Sequence, residues 1–403
     1  MVPGPAEHAG ACPVAHWQFT GPRRPALEYF VAMDSLQEQH RPFFRSDEEP
    51  GYYVFTDQKW IFEVLQDPEL FSSAAVMPTD PDPPHRLIPE QLDPPEHTKW
   101  RQLLAGYFAP RRIETMAEAQ RSYCVELIER LSGAGGCDFV SDFARLFPTS
   151  IFLRLLGLPM ADFEKFMEWE HKALHLSEDE DPGRQIGAGA MLEFVMYLTE
   201  FVAERRAATG PAGDDIISAA VHWEIDGRGI TDDELLNCLV LLFVAGLDTV
   251  ANQLSYSLHH LATHAADRKR LVAEPTLTPI AVEELLRAYP IVQPSRKATR
   301  DIDFHGCPIH AGDMIMLPLA AAGRDDAAYR DAKAVDFDRE SSRHLSFGAG
   351  PHRCLGSHLA RQELKIVLEE WHRRIPDYGL AGSAIVTEHS GGIFGLDTLP
   401  LRW

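Results

Sequence analysis

One glycine-rich turn around a single cysteine constrains the fold of this chain more than any other stretch. Residues 346–360 read SFGAGPHRCLGSHLA, and Cys354 is followed by residues 355–371, whose leucine, isoleucine and valine spacing predicts a helix. Unpaired N–H groups at a helix N-terminus stabilise a thiolate, so we expect the pKa of Cys354 to be lowered and its sulfur to bind a metal. The backbone can approach a large flat group closely because three positions lack a side chain, Gly348, Gly350 and Gly356.

The residue types of this turn resemble the haem-binding signature of the cytochrome P450 family, F-G-x-G-x-H-x-C-x-G. In this sequence they are Phe347, Gly348, Gly350, His352, Cys354 and Gly356. In that family the cysteine thiolate is the axial ligand of the haem iron, so the resemblance implies haem b (iron protoporphyrin IX) bound through Cys354. Two other interpretations of this stretch alone stay open. The spacing of His352, Cys354 and His358 could form a zinc site, and Cys354 could be a buried structural cysteine.

Composition favours one large domain and argues against some partners. The 403 residues contain no repeat and no low-complexity linker, so we expect a single domain over 1–403, with about the first 20 residues flexible. A net charge of −22 argues against nucleic acid as a partner. The six cysteines have no paired spacing, which is typical of a reducing cytoplasm.

The sequence also argues against a membrane anchor. The N-terminus lacks a basic start followed by an apolar run, so we expect no signal peptide. The most apolar stretch, Leu235–Leu247, is too short to span a bilayer and is followed by Asp248. We therefore predict a buried helix there and a cytoplasmic protein.

That apolar stretch belongs to a longer predicted helix, Thr231–His260, which begins with the capping box T-D-D-E. Within it Ala245, Gly246, Asp248 and Thr249 match the A-G-x-[D/E]-T motif that binds oxygen in the P450 family. We expect the glycine to leave room for dioxygen and the threonine hydroxyl to bond the carbonyl one turn earlier. The carboxylate would reach towards solvent and complete a proton relay. The alternative is an ordinary polar face of the helix.

A proline-rich segment over 76–96 predicts a long loop, and a helix follows it. Asp93 is the predicted cap of that helix, and His97 and Arg101 lie four residues apart on one face. This pair resembles the residues that bind the haem propionates in the family; otherwise it is a solvated polar face. The resemblance adds Arg296 and His352 to the propionate ligands.

Glu284 and Arg287 are spaced i, i+3 on a predicted helix. By itself such a pair lies on the surface and stabilises a helix by about 0.5 kcal/mol. The resemblance implies instead that the pair is buried behind the haem, that Arg339 completes it, and that the three residues hold the cysteine loop in place.

The motifs follow the order of the family from Asp93 to Trp403, and they resemble those of the bacterial camphor hydroxylase type. The resemblance implies a mainly α fold with small β-sheets, a single large triangular domain with haem between the oxygen-binding helix and the cysteine loop and helix. It implies insertion of one oxygen atom of O2 into a C–H bond of an apolar small molecule, of terpenoid, aromatic, fatty acyl or polyketide-like class. The candidate substrate residues are His85, where the camphor enzyme has a tyrosine, and Leu241, Val244, Val292 and Ile393.

The resemblance further implies that electrons come from NAD(P)H through a ferredoxin reductase and a separate ferredoxin. Basic residues on the cysteine side would attract a small acidic partner, and they are Lys99, Arg111, Arg112, Arg353 and Arg361. The acidic run Ser177–Asp181 is expected to be a solvated connection near the lid of the substrate entrance. Two alternatives for the function are a peroxide-driven haem enzyme, in which other residues replace Asp248 and Thr249, and a non-catalytic haem-binding or ligand-binding protein.

Overall fold

Helices dominate the part of the chain that the computed structural model describes, which is residues 12–176, 180–208, 213–340, 343–382 and 385–403. Their bounds are α1 Glu28–His40, α2 Gln58–Gln66, α3 Glu96–Ala105, α4 Pro110–Thr115, α5 Ala117–Ser132, α6 Leu146–Leu156, α7 Phe163–Glu170, α8 Gln185–Ala207, α9 Ile216–Ala220, α10 Asp232–Thr263, α11 Ala265–Ala273, α12 Thr278–Ala288, α13 Leu319–Gly323 and α14 Ser357–Arg374. Two π-helical turns, Val140–Ala144 and His171–His175, precede α6 and follow α7.

The strands are short and form small sheets. Their bounds are β1 Val14–Ala15, β2 Arg24–Pro25, β3 Phe43–Ser46, β4 Tyr53–Phe55, β5 Phe71–Ser72, β6 Gly136–Asp138, β7 Glu224–Ile225, β8 Arg228–Gly229, β9 Ser295–Ala298, β10 Ile302–Phe304, β11 Cys307–Ile309, β12 Met314–Met316, β13 Gly379–Leu380, β14 Thr387–His389, β15 Gly395–Leu396 and β16 Pro400–Arg402. The largest sheet has the order β1-β3-β4-β12-β9-β5. The predicted mainly α fold with small sheets is confirmed.

The long apolar helix α10 crosses the hydrophobic core. The predicted capping box is present, because Thr231 accepts the N–H of Glu234 and the Glu234 carboxylate accepts the N–H of Thr231. The helix ends at Thr263 and packs against α6 and α8. By length and hydropathy alone, α10 and the stretch Pro182–Ala207 could each span a membrane. Half of the most apolar window of α10 is buried inside the protein, so core packing explains its hydropathy.

The sequence predicted a solvated acidic connection over Ser177–Asp181, and this prediction is wrong for Asp181. Residues 177–179 lie outside the described part of the chain. Asp181 is buried, and its carboxylate accepts the N–H groups of Ile186 and Gly187 in the first turn of α8. It therefore satisfies donors that a helix N-terminus leaves unpaired.

A buried ion pair holds the segment that leads to the cysteine turn. Glu284 and Arg287 on α12 are 1% and 0% exposed, so the surface interpretation of this pair is wrong. Arg287 donates its Nε and Nη2 to the Glu284 carboxylate at 2.8 and 2.7 Å. Arg287 also donates hydrogen bonds to three backbone carbonyls in the segment 323–334. Arg339 donates its Nε to Glu284 at 3.1 Å, as the resemblance implied.

We expect Arg287→Ala to destabilise the protein strongly, because it leaves the buried Glu284 carboxylate without its main partner and three carbonyls without donors. Removal of one partner from a buried pair costs about 3–5 kcal/mol. Arg130→Ala is the matched control, since Arg130 forms an exposed i, i+4 pair with Glu126 worth about 0.5 kcal/mol at most. Denaturant unfolding of both variants measures the difference. Equal unfolding free energies would contradict this interpretation of the buried pair.

Candidate functional site

The cysteine turn folds tightly between α2 and α14. A single 3₁₀ turn, Gly350–His352, precedes Cys354, whose N–H donates to the Phe347 carbonyl at 2.8 Å. Gly348 and Gly350 have φ values of +65° and +67°, a left-handed region that favours glycine. A Cβ at position 350 would also collide with the carbonyl oxygen of Leu65 at the end of α2. The glycines therefore set the position of the sulfur relative to α2.

The four polar side chains predicted to bind the haem propionates come from three stretches, which are α3, β9 and the turn itself. The rings of His97 on α3 and His352 lie 3.9 Å apart, centroid to centroid. Arg101 on α3 donates its Nη2 to the Arg353 carbonyl at 2.7 Å, which joins α3 to the turn. Arg296 on β9 is 3% exposed, and its hydrogen bond goes to the neighbouring Ser295 carbonyl.

His97, His352 and Arg296 have buried side chains, and the two histidines have incomplete hydrogen bonding. His97 Nδ1 and both ring nitrogens of His352 have no hydrogen-bond partner among the described residues. Burial and the neighbouring His352 lower the pKa of His97 to about 4. Asp93 does not cap α3 as expected, because its carboxylate accepts the Ser73 N–H at 2.9 Å and the Ser72 hydroxyl. The N-cap position of α3 is occupied by Pro95.

On α10 the predicted threonine geometry is present. Thr249 Oγ1 donates to the Ala245 carbonyl at 2.9 Å, one turn earlier. The expectation for Gly246 is wrong, because a Cβ there would lie 2.5 Å from the ring of Phe152 on α6. The glycine makes room for that aromatic ring, which lets α6 pack closely against α10.

Asp248 does not reach towards solvent as predicted. It is 5% exposed, and its Oδ1 lies 3.3 Å from His175 Nε2. Burial alone would raise the pKa of Asp248, but the positive charge of His175 holds it below its usual value. The sequence analysis missed His175, and it missed Glu170, which is the other partner of His175. Both residues lie more than 70 positions before Asp248, and residue spacing predicts no contact over such a separation.

The structure brings two predicted substrate residues together and places two others on α10. Val292 and Ile393 form an antiparallel bridge between the chain before β9 and the turn from β14 to β15. Leu241 and Val244 are half-buried, in the turn of α10 that precedes Ala245. His85 is exposed in the loop between β5 and α3. These placements leave the substrate role of all five residues a prediction.

A model of the family Cytochrome P450 matches residues 20–371. The chain belongs to the cytochrome P450 family. "Probable cytochrome P450 127A1" of Sinorhizobium fredii is 34% identical to it over 98% of this chain and 96% of its own. The steroid C26-monooxygenase of Mycobacterium tuberculosis strain H37Rv is 30% identical over 90% of each chain. The crystal structure of cytochrome P450 CYP101C1 has a TM-score of 0.87 at 31% identity and covers 100% of both chains.

The resemblance seen in the cysteine turn is thus confirmed, and the protein is an enzyme of the P450 monooxygenase class. The family implies a haem-thiolate iron and O2. The residues present fit haem. The unpartnered nitrogens of His97 and His352 and the buried guanidinium of Arg296 are donors suited to the two carboxylates of the porphyrin.

The electrostatics of the sulfur differ from the sequence expectation. Burial raises the pKa of the Cys354 thiol, although the Gly356 N–H and the charge of Arg101 act in the opposite direction. The expected lowering by the polypeptide is therefore wrong. An iron ion bound at this sulfur would deprotonate the thiol, because a coordinated metal cation does so outright.

The five basic residues predicted for partner binding fall into two groups. Lys99 pairs with Asp226, Arg112 with Asp214 at 2.6 Å, and Arg361 with Glu283 at 2.6 Å. Arg111 and Arg353 are exposed, and neither side chain forms an ion pair within the described ranges. Arg353 lines a surface groove of about 540 Å³ with Lys59, Phe62 and Arg343.

Two glycine variants test the geometry of the turn. Gly348→Ala meets nothing within 4 Å and carries only the left-handed backbone penalty of about 1–2 kcal/mol. Gly350→Ala carries the same penalty and a collision with the Leu65 carbonyl, so it should bind much less haem. The haem-to-protein ratio and the carbon monoxide spectrum of the reduced protein measure both. Equal haem content in the two variants would show that contact with α2 does not position the cysteine.

Proposed function

We propose that this P450 hydroxylates an apolar small molecule, with electrons supplied by a ferredoxin that is reduced through a reductase by NAD(P)H. The single observation that carries the proposal is the Thr249 and Asp248 arrangement on α10, next to half-buried apolar residues of the same helix. A hydroxyl whose own proton is bonded to a carbonyl has its lone pairs free, so it can accept a hydrogen bond from a proton donor.

The haem, when bound, supplies the activation of O2, which no side chain can perform. In our proposal Cys354 ligates the iron, and His97, Arg101, Arg296 and His352 bind the propionates. Further contacts to the haem come from Ala245, Phe347, Gly348 and Gly356. Burial of these donors raises the strength of their bonds to carboxylates, because little water competes. Glu284, Arg287 and Arg339 keep the turn in place from behind.

Thr249 and Asp248 are proposed to control the proton supply. The bond from Thr249 to the Ala245 carbonyl fixes the side-chain rotamer, so its oxygen stays in one position. Asp248 is adjacent in the chain and ionised at neutral pH, since His175 holds its pKa low. A fixed hydroxyl and an ionised carboxylate can hold and pass a proton in sequence. Gly246 contributes indirectly, by letting α10 approach Phe152.

The substrate class is proposed to be apolar, and terpenoid or polyketide-like compounds are favoured over aromatic and fatty acyl ones. Leu241, Val244, Val292 and Ile393 offer apolar surface, and His85 is the polar candidate. Relatives support the choice through their names: a steroid C26-monooxygenase, a mycinamicin IV hydroxylase/epoxidase of Micromonospora griseorubida, and a polyketide biosynthesis P450 of Bacillus subtilis. Spin-state shifts of the ferric Soret band on titration with each class test it.

Thr249→Ala should keep haem and substrate binding but release more hydrogen peroxide per electron pair consumed, because proton delivery loses its fixed hydroxyl. We expect the fraction of electrons recovered in product to fall about tenfold. Thr263→Ala is the matched control, since Thr263 makes the same bond to the His259 carbonyl at 2.8 Å, at the far end of α10. Product and peroxide are quantified against NAD(P)H consumed. Unchanged coupling in Thr249→Ala would remove this residue from the proton path.

We propose that the ferredoxin docks at the groove beside the cysteine turn. Arg353 and Arg343 are exposed there, Phe62 is 44% exposed, and the rest of the chain is strongly acidic. An acidic partner would be steered to such a patch. The proposed surface still includes Lys99, Arg111, Arg112 and Arg361. Of these, Lys99, Arg112 and Arg361 already form ion pairs with carboxylates of this chain, which reduces the charge that they offer to a partner.

Arg353→Glu should lower the rate of haem reduction by ferredoxin, most strongly at low ionic strength, because charge attraction is screened by salt. Arg130→Glu is the control. Arg130 lies on α5 next to Glu129, and Glu129 contacts Arg374 at the C-terminal end of α14, whereas the cysteine turn precedes the N-terminal end. Stopped-flow reduction at several salt concentrations gives both rates. The same loss in both variants would indicate a general charge effect, and no loss in either would place the docking surface elsewhere.

We also propose that residues 1–403 form one haem domain in the cytoplasm. In support, one hydrophobic core joins residues from Trp17 to Leu401, and the most apolar helix is a core helix.

A further inference from the structure

One carboxylate of the chain, that of Glu90, faces the four proposed propionate donors, which are His97, Arg101, Arg296 and His352. Glu90 lies in the loop between β5 and α3, and its Oε2 is 3.9 Å from His352 Nδ1. This distance is too long for a hydrogen bond, and His352 Nδ1 has no hydrogen-bond partner among the described residues. The contact is therefore Coulombic, and it leaves the histidine nitrogen available to another acceptor.

The loop that carries Glu90 is anchored on both sides. Its neighbours Ile88 and Gln91 are buried. Gln91 donates its Nε2 to the Ala74 carbonyl at 3.1 Å, and its Oε1 accepts the Leu87 N–H at 2.7 Å. The fold therefore fixes the backbone from which the Glu90 carboxylate reaches the propionate donors.

Two functional groups of the site respond to the charge of Glu90. Burial lowers the pKa of Arg296, and the charge of Glu90 acts against this lowering. Burial raises the pKa of the Cys354 thiol, and the charge of Glu90 raises it further. Asp93 is a second carboxylate near Arg296, but its oxygens already accept an N–H and a hydroxyl from the chain at the end of β5. Glu90 has no such donors within the described ranges, so its charge acts on the site.

Glu90 is ionised at neutral pH. Burial acts to raise its pKa, but the contact with His352 and the charges of Arg296 and His97 hold the pKa of Glu90 below its ordinary value. Reduction of haem adds one negative charge, so a fixed negative charge nearby makes the reduction less favourable. The Glu90 side chain is 35% exposed, and water therefore moderates this effect.

We propose that the Glu90 carboxylate lowers the reduction potential of the haem and shares His352 and Arg296 with the two propionates. The donors then face three carboxylates, one from the chain and two from the haem. One electron from the electron donor converts ferric to ferrous haem, and no bond forms or breaks in this step. This inference rests on the proposed propionate contacts, and it depends on neither the substrate nor the identity of the ferredoxin.

The first test is a spectroelectrochemical titration of the haem-loaded protein. Glu90→Gln keeps the shape of the side chain and removes its charge. It should increase the equilibrium constant for haem reduction about tenfold, which corresponds to about 59 mV for one electron. Glu90→Asp retains the charge and should stay within about threefold of the wild type.

Glu96→Gln is the matched control for this titration, because it removes one carboxylate from the exposed first turn of α3. Its equilibrium constant should stay within about twofold of the wild type, since salt and water screen an exposed charge. Equal shifts in Glu90→Gln and Glu96→Gln, or no shift in either, would overturn the proposal.

The second test measures haem release to an excess of apomyoglobin. If Glu90 shares the donors, Glu90→Gln should release haem about threefold more slowly, because a charge that repels the propionates is gone. Faster release would overturn the proposal, and so would a Glu90→Gln variant that binds no haem. In both cases Glu90 would be needed to hold the donors in place.

Arg296→Gln separates this inference from the proposed function. This variant removes a propionate donor, so it should release haem about tenfold faster. Release at the wild-type rate would mean that the proposed propionate contacts fail. A reduced carbon monoxide spectrum of the wild type without the thiolate signature would mean that the proposed ligation by Cys354 fails. If both of these results are as expected and only Glu90→Gln leaves the potential unchanged, the inference on Glu90 alone is rejected.

Discussion

The buried guanidinium of Arg287 organises the segment of this P450 that precedes the cysteine turn. Taking this charge out of water is costly, and the structure compensates with a carboxylate on the same helix and three backbone carbonyls from the segment 323–334. The segment must therefore wrap around α12 in one way. Arg339, which donates to the same Glu284 carboxylate, extends this network towards the cysteine turn.

The site itself is defined by polar groups that the protein leaves unsatisfied. Buried nitrogens without partners are rare in folded proteins, yet His97 and His352 contribute three of them within one cluster, next to the buried Arg296. Glu90 is the nearby carboxylate of the chain, with its Oε2 3.9 Å from His352 Nδ1, and the two carboxylates of haem would supply the further acceptors. Burial raises the pKa of the Cys354 thiol, and an iron ion bound there would lower it.

On α10 one carboxylate is buried among apolar residues, that of Asp248, and the other three lie in the first turn. Its apolar residues allow it to cross the core, and the carboxylate of Asp248 is accommodated because His175 brings a positive charge from another element. The charge cluster that includes Glu170 and Arg145 links α10 to the end of α7. The π-helical turn after α7 thus supplies the cation beside the Asp248 carboxylate.

The sequence by itself determined what depends on neighbours along the chain. It predicted the cysteine turn, the capping box of α10, the bond from Thr249 to the carbonyl four residues earlier, and the pairing of Glu284 with Arg287, because helix and turn geometry fix these contacts over a few residues. Only the tertiary structure decided the partners of Asp248, the contact of Gly246 with Phe152, the role of Asp93 and the internal ion pairs of Lys99, Arg112 and Arg361. Each of these depends on an element far away in the chain, and residue spacing carries no information about which buried charge or ring will meet another until the core has packed.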